Sequence, residues 1–436
     1  MRNHLLLIII TVLCYSQSSG FSIFGVGEKI QNNAPASLSM GNSLFFSGSS
    51  KNISTGSPSS LWRSALTRFT IHSGMNILKS TQFPQQYHQS LTSFSLLFPV
   101  GNKKVFGFGL QPVFRTNKLD IRDADFQYIG VHESSIGLPI AFKNNYSIDG
   151  GISEIFLEYS QKLYPHYSGG LKYSFLFGNQ YLDDELYTYD VEIDSISTGL
   201  ILSEIVEGSD TLYARTVHGM MTELNKSHKF SGSIFTVEGR YTDEKQEWVV
   251  RTSINSKIQV RTQNIQCIGL CIDNSDPDTT IYKNSSSSIL SELGIGYRYQ
   301  IKNNSGITME LHKEYPSNIP ENVALFNIMP PGENSIHFGS YYQIRNSKIG
   351  FWNNLNIRVG AYLKELDFTD TENNFLDYGG TLGLGIEYLG YSQSIDLALR
   401  AGKKESRVLD GEYEEYISFH IGIITGEKWF MRRRRK

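Results

Sequence analysis

Hydrophobic and polar side chains alternate with a period of two along the second half of the chain. In residues 378–388, tyrosine, leucine and isoleucine alternate with glycine, threonine and glutamate. Segments 292–301, 355–364, 394–401 and 416–423 repeat the pattern. Because successive side chains of a strand point to opposite faces, each segment predicts a strand with one apolar face and one polar face.

Further segments show the same alternation less regularly, and they extend it to nearly the whole chain. These segments are 67–78, 90–99, 104–115, 152–163, 169–178, 210–220, 230–241, 247–258, 305–313 and 335–346. Bacterial barrels usually close with an even number of strands, so we predict about fourteen, with the weakest segment, 210–220, as a loop hairpin. The pattern therefore predicts an all-β fold, a transmembrane antiparallel β-barrel.

The links between the predicted strands differ in length. The links at 101–104, 303–304 and 390–393 are short. In outer-membrane barrels, periplasmic turns are short and extracellular loops are long. We therefore place the long polar stretches outside the cell, namely 116–150, 179–209, 259–288, 314–334 and 366–376.

The beginning and the end of the chain differ from the strand region. Residues 1–20 combine a basic start, an apolar run and small residues before Phe21, which predicts a signal peptide. Residues 21–66 are rich in serine, glycine and asparagine, and we interpret them as a hatch inside the barrel, since a wide barrel needs its lumen filled. A disordered leader is the alternative. The barrel then spans 67–426, and a basic tail spans 427–436.

Composition supports an exported membrane protein without long apolar helices. Aromatic residues make up 12% of the chain, and the mean hydropathy is −0.27. Half of each barrel strand faces a polar interior, so such a protein need not be apolar on average. A net charge of −3 argues against nucleic acid as a partner. We predict the bacterial outer membrane as the location and its lipid as the partner; no partner protein is indicated.

Charged residues of both signs fall on the polar face of the predicted strands. They could line a permeation path, or they could pair with one another and hold the interior together. A charge buried without a partner is costly, so the mixed signs favour pairing. The candidate lumen-lining residues are Glu238, Arg240, Glu292, Arg298, Arg358, Glu387 and Arg400.

Cys267 and Cys271 are the cysteines that follow the signal peptide. In an extended strand, residues four apart lie about 13 Å apart, which is too far for a disulfide. In a loop turned by Gly269 they can bridge, and we predict a disulfide there. The histidines are scattered, and no nucleophile, metal or phosphate-loop motif appears, so we predict no enzyme, no metal site and no cofactor.

Several short motifs, taken in order, resemble the FadL-like superfamily of outer-membrane barrels, the long-chain fatty acid transporters. They resemble most its branch related to type IX secretion. The motifs lie at 21–27, 36–43, 56–61, 98–99, 107–112, 150–152, 175–178 and 427–430. The resemblance implies a fourteen-stranded barrel with its N-terminal segment in the lumen, and passage of hydrophobic small molecules.

Two functions therefore remain open. One is a channel or transporter for hydrophobic small molecules. The other is a non-transport barrel that serves secretion, surface-protein anchoring or envelope structure. A bulge in a wall strand with an apolar pocket behind it would favour transport, and a lumen filled solid would favour the second function.

Overall fold

The fold is known from a computed structural model of the chain. The residues that it describes are 28–30, 34–48, 53–80, 86–122, 127–129, 140–194, 201–207, 210–255, 258–269, 278–287, 292–315, 332–345, 354–367, 374–388, 393–406 and 413–427. The predicted signal peptide, Cys271 and residues 428–436 of the basic tail lie outside these ranges.

Fourteen strands form the wall of the barrel. They are β2 (Thr67–Ser80), β3 (Gln86–Pro99), β4 (Lys104–Arg122), β6 (Ile140–Lys162), β7 (Tyr167–Asp194), β9 (Asp210–Thr242), β10 (Gln246–Asn255), β13 (Glu292–Lys302), β14 (Ser305–Glu314), β15 (Gly332–Arg345), β16 (Asn354–Asp367), β17 (Asn374–Tyr388), β18 (Gln393–Ser406) and β19 (Tyr413–Glu427).

Each wall strand pairs with its neighbours in antiparallel register, and the last strand pairs with the first. β19 pairs with β2 from Glu427↔Thr67 to Glu414↔Ser80. This pairing closes the sheet. The predicted fold class, an antiparallel barrel of fourteen strands, is confirmed.

The two faces of the wall differ as the alternation predicts. On β14, Ile307, Met309 and Leu311 are 40–48% exposed, whereas Thr308 and Glu310 between them are buried. The apolar face points outward, where a bilayer would cover it, and the polar face points into the lumen.

Five further strands lie beside the wall strands. They are β1 (Glu28–Lys29), β5 (Gln127–Ile129), β8 (Ile201–Glu207), β11 (Ile258–Gly269) and β12 (Asp278–Ser287). β11 pairs with the outer part of β9, from Met221 to Ser231, beyond the stretch that pairs with β10.

Part of the loop prediction is wrong, because strands run through stretches that were predicted as loops. The polar stretches 116–150, 179–209 and 259–288 are largely strand, and segment 210–220 is the outer end of β9 rather than a separate hairpin. The backbone ladder continues past the membrane, but strands there need no lipid-facing apolar side chains, so their alternation fades. Cys267 lies in β11, and its predicted disulfide stays a prediction.

Short links join the wall strands at one end, which we call the short-turn end. These links are residues 100–103, 163–166, 243–245 and 303–304. Two short helices precede the barrel: α1 (Pro35–Leu38) and a 3-10 helix (Pro58–Arg63). Among the described residues, no helix is long and apolar enough to cross a membrane.

Candidate functional site

Residues 34–48 and 53–66, here called the lumenal segment, pack against the inward face of the wall. Leu38, Met40 and Leu61 are at most 1% exposed. The segment lacks a regular hydrophobic period, so its position depends on a few apolar anchors and on polar contacts with the wall.

A tight turn brings the backbone of the lumenal segment against the wall. α1 starts at Pro35, whose fixed φ suits a first helical position. The chain then turns through Gly41 and Asn42, with φ of 73° and 63°. A Cβ at Gly41 would lie 2.2 Å from the carbonyl oxygen of Phe338 and 2.5 Å from that of Ala361, so glycine alone permits this approach.

Glu310 of β14 binds the turn that follows. Its carboxylate accepts hydrogen bonds from the Ser43 hydroxyl and from the backbone N–H groups of Leu44 and Phe45, the latter two at 2.8 and 3.1 Å. His312 Nε2 lies 3.0 Å from its second oxygen. A buried carboxylate thus satisfies two backbone donors that would otherwise lack partners.

Glu238 of β9 binds the start of the 3-10 helix in the same way. Its Oε1 accepts from the hydroxyls of Ser57 and Ser59, and the Ser59 N–H lies 3.2 Å from it. Glu310 and Glu238 on the wall therefore each bind a serine-containing turn of the lumenal segment through hydrogen bonds.

An arginine cluster joins the second anchor to the wall. Glu247 of β10 is fully buried and accepts from Arg240 at 2.5 Å, from Arg63 at 2.6 Å and from Arg298. Arg240 also lies 3.6 Å from Glu238. Three guanidinium groups face two carboxylates, so the cluster keeps one positive charge in excess.

Phe46 and the Arg63 guanidinium tie the lumenal segment to this cluster. The guanidinium carbons of Arg240 and Arg298 lie 5.5 and 6.0 Å from the Phe46 ring centre, within cation–π range. Burial lowers the pKa of Arg63, and the Glu247 carboxylate opposes that shift.

The other predicted lumen residues form separate pairs around the wall. Arg358 binds Asp396 at 2.7 Å, and Glu387 accepts from Asn356 at 2.9 Å. The structure places these side chains on the inward face.

Glu292 and Arg400 complete the set of predicted lumen residues. Glu292 lies 3.7 Å from Arg251. Arg400 stacks over Tyr416, with 4.6 Å from its guanidinium carbon to the ring centre. Of the seven predicted residues, only Glu238, Arg240 and Arg298 meet in one cluster.

A cavity of about 110 Å³ lies between the lumenal segment, β1 and the wall. Ion pairs line it: Lys29 binds Glu314, and Lys172 lies 2.6 Å from Glu154. Burial lowers the pKa of Lys29, although nearby carboxylates oppose the shift. Most of the residues that line this cavity are charged or polar, unlike the apolar pocket that the transport hypothesis anticipated.

The wall has a seam between β3 and β4. Their pairing runs from Pro99↔Val105 to Phe94↔Leu110 and ends there. β3 continues to pair with β2 as far as Gln86. Within the described part of the chain, residues 86–93 of β3 therefore have no register partner on β4.

β1 takes the edge of β4 beyond the seam. Lys29 pairs with Phe114, and the N–H of Ile30 donates to the carbonyl oxygen of Val113 at 2.8 Å. The opposite edge of β4 pairs with β6, and its register shifts twice over residues 112–119. β4 is thus a bulged wall strand, and part of its edge is covered by the N-terminal segment rather than by its neighbour.

Sequence reasoning missed Glu247 and Arg63. Glu247 is the first residue of the predicted strand 247–258, but the predicted lumen-lining residues do not include it. The period of two could have found it, because Arg251, Val249 and Glu247 occupy alternate buried positions of β10. No periodic signal marks Arg63, which lies in the lumenal segment.

The fold and family comparisons agree on the class of protein. The BamG family model matches residues 2–436. A Pseudomonas aeruginosa FadL homologue has 9% identity and a TM-score of 0.53, with 92% of this chain and 98% of that chain covered. The CymD monoaromatic hydrocarbon channel has 10% identity and a TM-score of 0.52, with 95% and 100% covered. At these identities the likeness concerns the fold. No curated protein sequence matches this chain.

Proposed function

This chain belongs to the BamG family, and we propose that it is an outer-membrane channel that passes hydrophobic small molecules through the seam between β3 and β4. The observation that carries the proposal is the early end of the β3–β4 pairing at Phe94↔Leu110. Backbone groups inside a bilayer need partners, so a closed wall would pair along its full length. Six residue pairs join β3 to β4, fewer than join any other two neighbouring wall strands in the described residues, so this seam should open at lower cost than the other wall pairings.

The outward face and the structural neighbours support the same proposal. The apolar outer surface fits the lipid of a bacterial outer membrane, which we propose as the location and the surrounding partner. CymD, which has the same fold, is described as a hydrocarbon channel. CymD is a channel rather than an enzyme, and we propose no enzymatic activity for this chain. Membership of the branch related to type IX secretion stays a prediction.

A cysteine pair across β1 and β4 tests the seam. Lys29→Cys with Phe114→Cys joins two register partners, and oxidation would fix β1 on β4. We expect oxidation to lower the initial uptake of labelled toluene and of a labelled long-chain fatty acid by intact cells, and a reductant to restore it. The control pair, Ile357→Cys with Leu384→Cys, joins β16 to β17 at outward-facing positions, and its oxidation should change nothing.

The filled lumen favours a second candidate function, a barrel that does not transport. The lumenal segment is buried, and the described cavity beside it holds only about 110 Å³. Equal uptake by the oxidised and reduced seam variants, and by cells that lack the protein, would replace the channel with this second function.

A further inference from the structure

We propose that the barrel carries a second binding site at its short-turn end, and that this site takes a phosphate group beside Trp62. We call it the mouth site, and it comprises Trp62, Arg63, Lys162, His166 and Thr242. It is independent of the seam and of the proposed transport. A cavity of about 360 Å³ occupies this place, a size that suits a small ligand.

The wall and the lumenal segment build the mouth site together. The backbone N–H of Trp62 donates to the Ser160 hydroxyl at 3.0 Å, which fixes the end of the 3-10 helix on β6. Arg63 donates to the Thr242 hydroxyl at 3.1 Å. The link between β6 and β7, residues 163–166, forms the outer rim.

Two donors in the mouth site have no acceptor among the described residues. The Lys162 ammonium lies 4.8 Å from the centre of the Trp62 ring, and the described residues offer it no carboxylate within ion-pair distance. The Trp62 indole N–H is buried and has no hydrogen-bond partner in the part of the chain that the structure describes. A buried donor without a partner costs about 1–3 kcal/mol, and an anionic oxygen would satisfy both donors.

The electrostatic surroundings favour an anion. Arg63 belongs to the arginine cluster, in which three guanidinium groups face two carboxylates, so positive charge remains behind the site. At the rim, the carboxylate of Asp243 lies 3.9 Å from His166 and is half exposed. Lys162, Arg63 and Trp62 all line the cavity, so an anion bound there would lie among cationic side chains.

Geometry at the rim favours phosphate over other anions. Leu163, Tyr164 and Tyr167 are 54–70% exposed, as side chains at a membrane interface are. Lipid phosphates lie at the same level. A phosphate also has enough terminal oxygens to accept from the ammonium, the indole and a guanidinium at once. A phospholipid headgroup and a soluble phosphate ester share this chemistry.

Binding by the purified full-length barrel in detergent tests the site. The probes are glycerol 3-phosphate, mixed micelles with phosphatidylglycerol, and mixed micelles with diacylglycerol, which lacks the phosphate. We expect Lys162→Gln and Trp62→Phe each to weaken phosphatidylglycerol binding about tenfold or more. Lys245→Gln removes an exposed lysine from the neighbouring link and should leave binding unchanged. A heat-modifiability gel shows that each variant is folded.

The probes distinguish a soluble phosphate ester from a phospholipid headgroup as the natural ligand. Binding of glycerol 3-phosphate and of the lipid with similar affinity assigns the site to soluble phosphate esters, and binding of the lipid alone assigns it to the headgroup. Diacylglycerol binding equal to that of phosphatidylglycerol would overturn the proposal. So would folded Lys162→Gln and Trp62→Phe variants that bind like the wild type, or an equal loss in Lys245→Gln.

Discussion

Removing the charge of Glu310 should loosen the lumenal segment while the barrel stays folded. The carboxylate is 1% exposed and accepts from Ser43, Leu44 and Phe45. In Glu310→Gln, one amide oxygen can still accept, but the amide nitrogen meets the remaining donors and leaves at least one N–H without a partner. A charged hydrogen bond contributes about 1.5–3 kcal/mol, and a buried orphan donor costs about 1–3 kcal/mol.

We therefore expect local opening to become easier by about 2 kcal/mol, which corresponds to about thirtyfold faster exchange of the Leu44 and Phe45 amide hydrogens. Hydrogen–deuterium exchange with mass spectrometry of the detergent-solubilised protein measures this rate. The matched control is Glu405→Gln, which removes a half-exposed carboxylate paired with Lys403 at 3.0 Å. Unchanged protection of both amides in a folded Glu310→Gln barrel would refute the anchoring role.

Two further predictions concern the wall itself. Gly360→Ala should displace the lumenal segment, since its Cβ would lie 2.0 Å from the Gly41 nitrogen, and exchange near Gly41 should rise. Gly380→Ala should have no effect, because the nearest atom to its Cβ, the Gly360 carbonyl oxygen, would lie 3.9 Å away. Leu382→Arg places a charge on the outward face of β17 at a side chain that is 56% exposed, and it should destabilise the barrel by about 2–4 kcal/mol. Tyr378→Arg, nearer the end of that strand, should cost about 0–1 kcal/mol. Denaturant unfolding in lipid vesicles compares the two variants, and a cost of Leu382→Arg as small as that of Tyr378→Arg would place Leu382 away from the bilayer midplane.

The strands of the wall could be predicted because lipid imposes a strict pattern. Every crossing strand needs apolar side chains at alternate positions, and segments 355–364 and 378–388 show this without interruption. Outside the bilayer, a strand does not need apolar side chains at alternate positions. Segments 210–220 and 230–241 were therefore predicted as separate elements, although the backbone of β9 runs through both.

The lumenal contacts could not be predicted from periodicity. Gly41 meets the wall through a left-handed turn, and Ser43 and Ser57 meet it through carboxylates more than 180 positions away. Nothing local in the sequence selects Glu310 and Glu238 among the acidic residues of the polar face. The charges of that face were predicted to pair, but their partners depend on register and on barrel closure.

The seam and the lumenal segment are mechanically linked through residues 28–30. The edge of β4 lies in the wall, where unpaired backbone groups are costly. β1 therefore stabilises the part of β4 that does not pair with β3. Lys29 of the same strand binds Glu314, at the end of the wall strand that also carries Glu310. A shift of the lumenal segment away from Glu310 would therefore pull on β1, and a shift of β1 would expose the β4 edge. Opening of the seam and release of the lumenal segment should accordingly occur together in the wild-type chain, which retains Lys29.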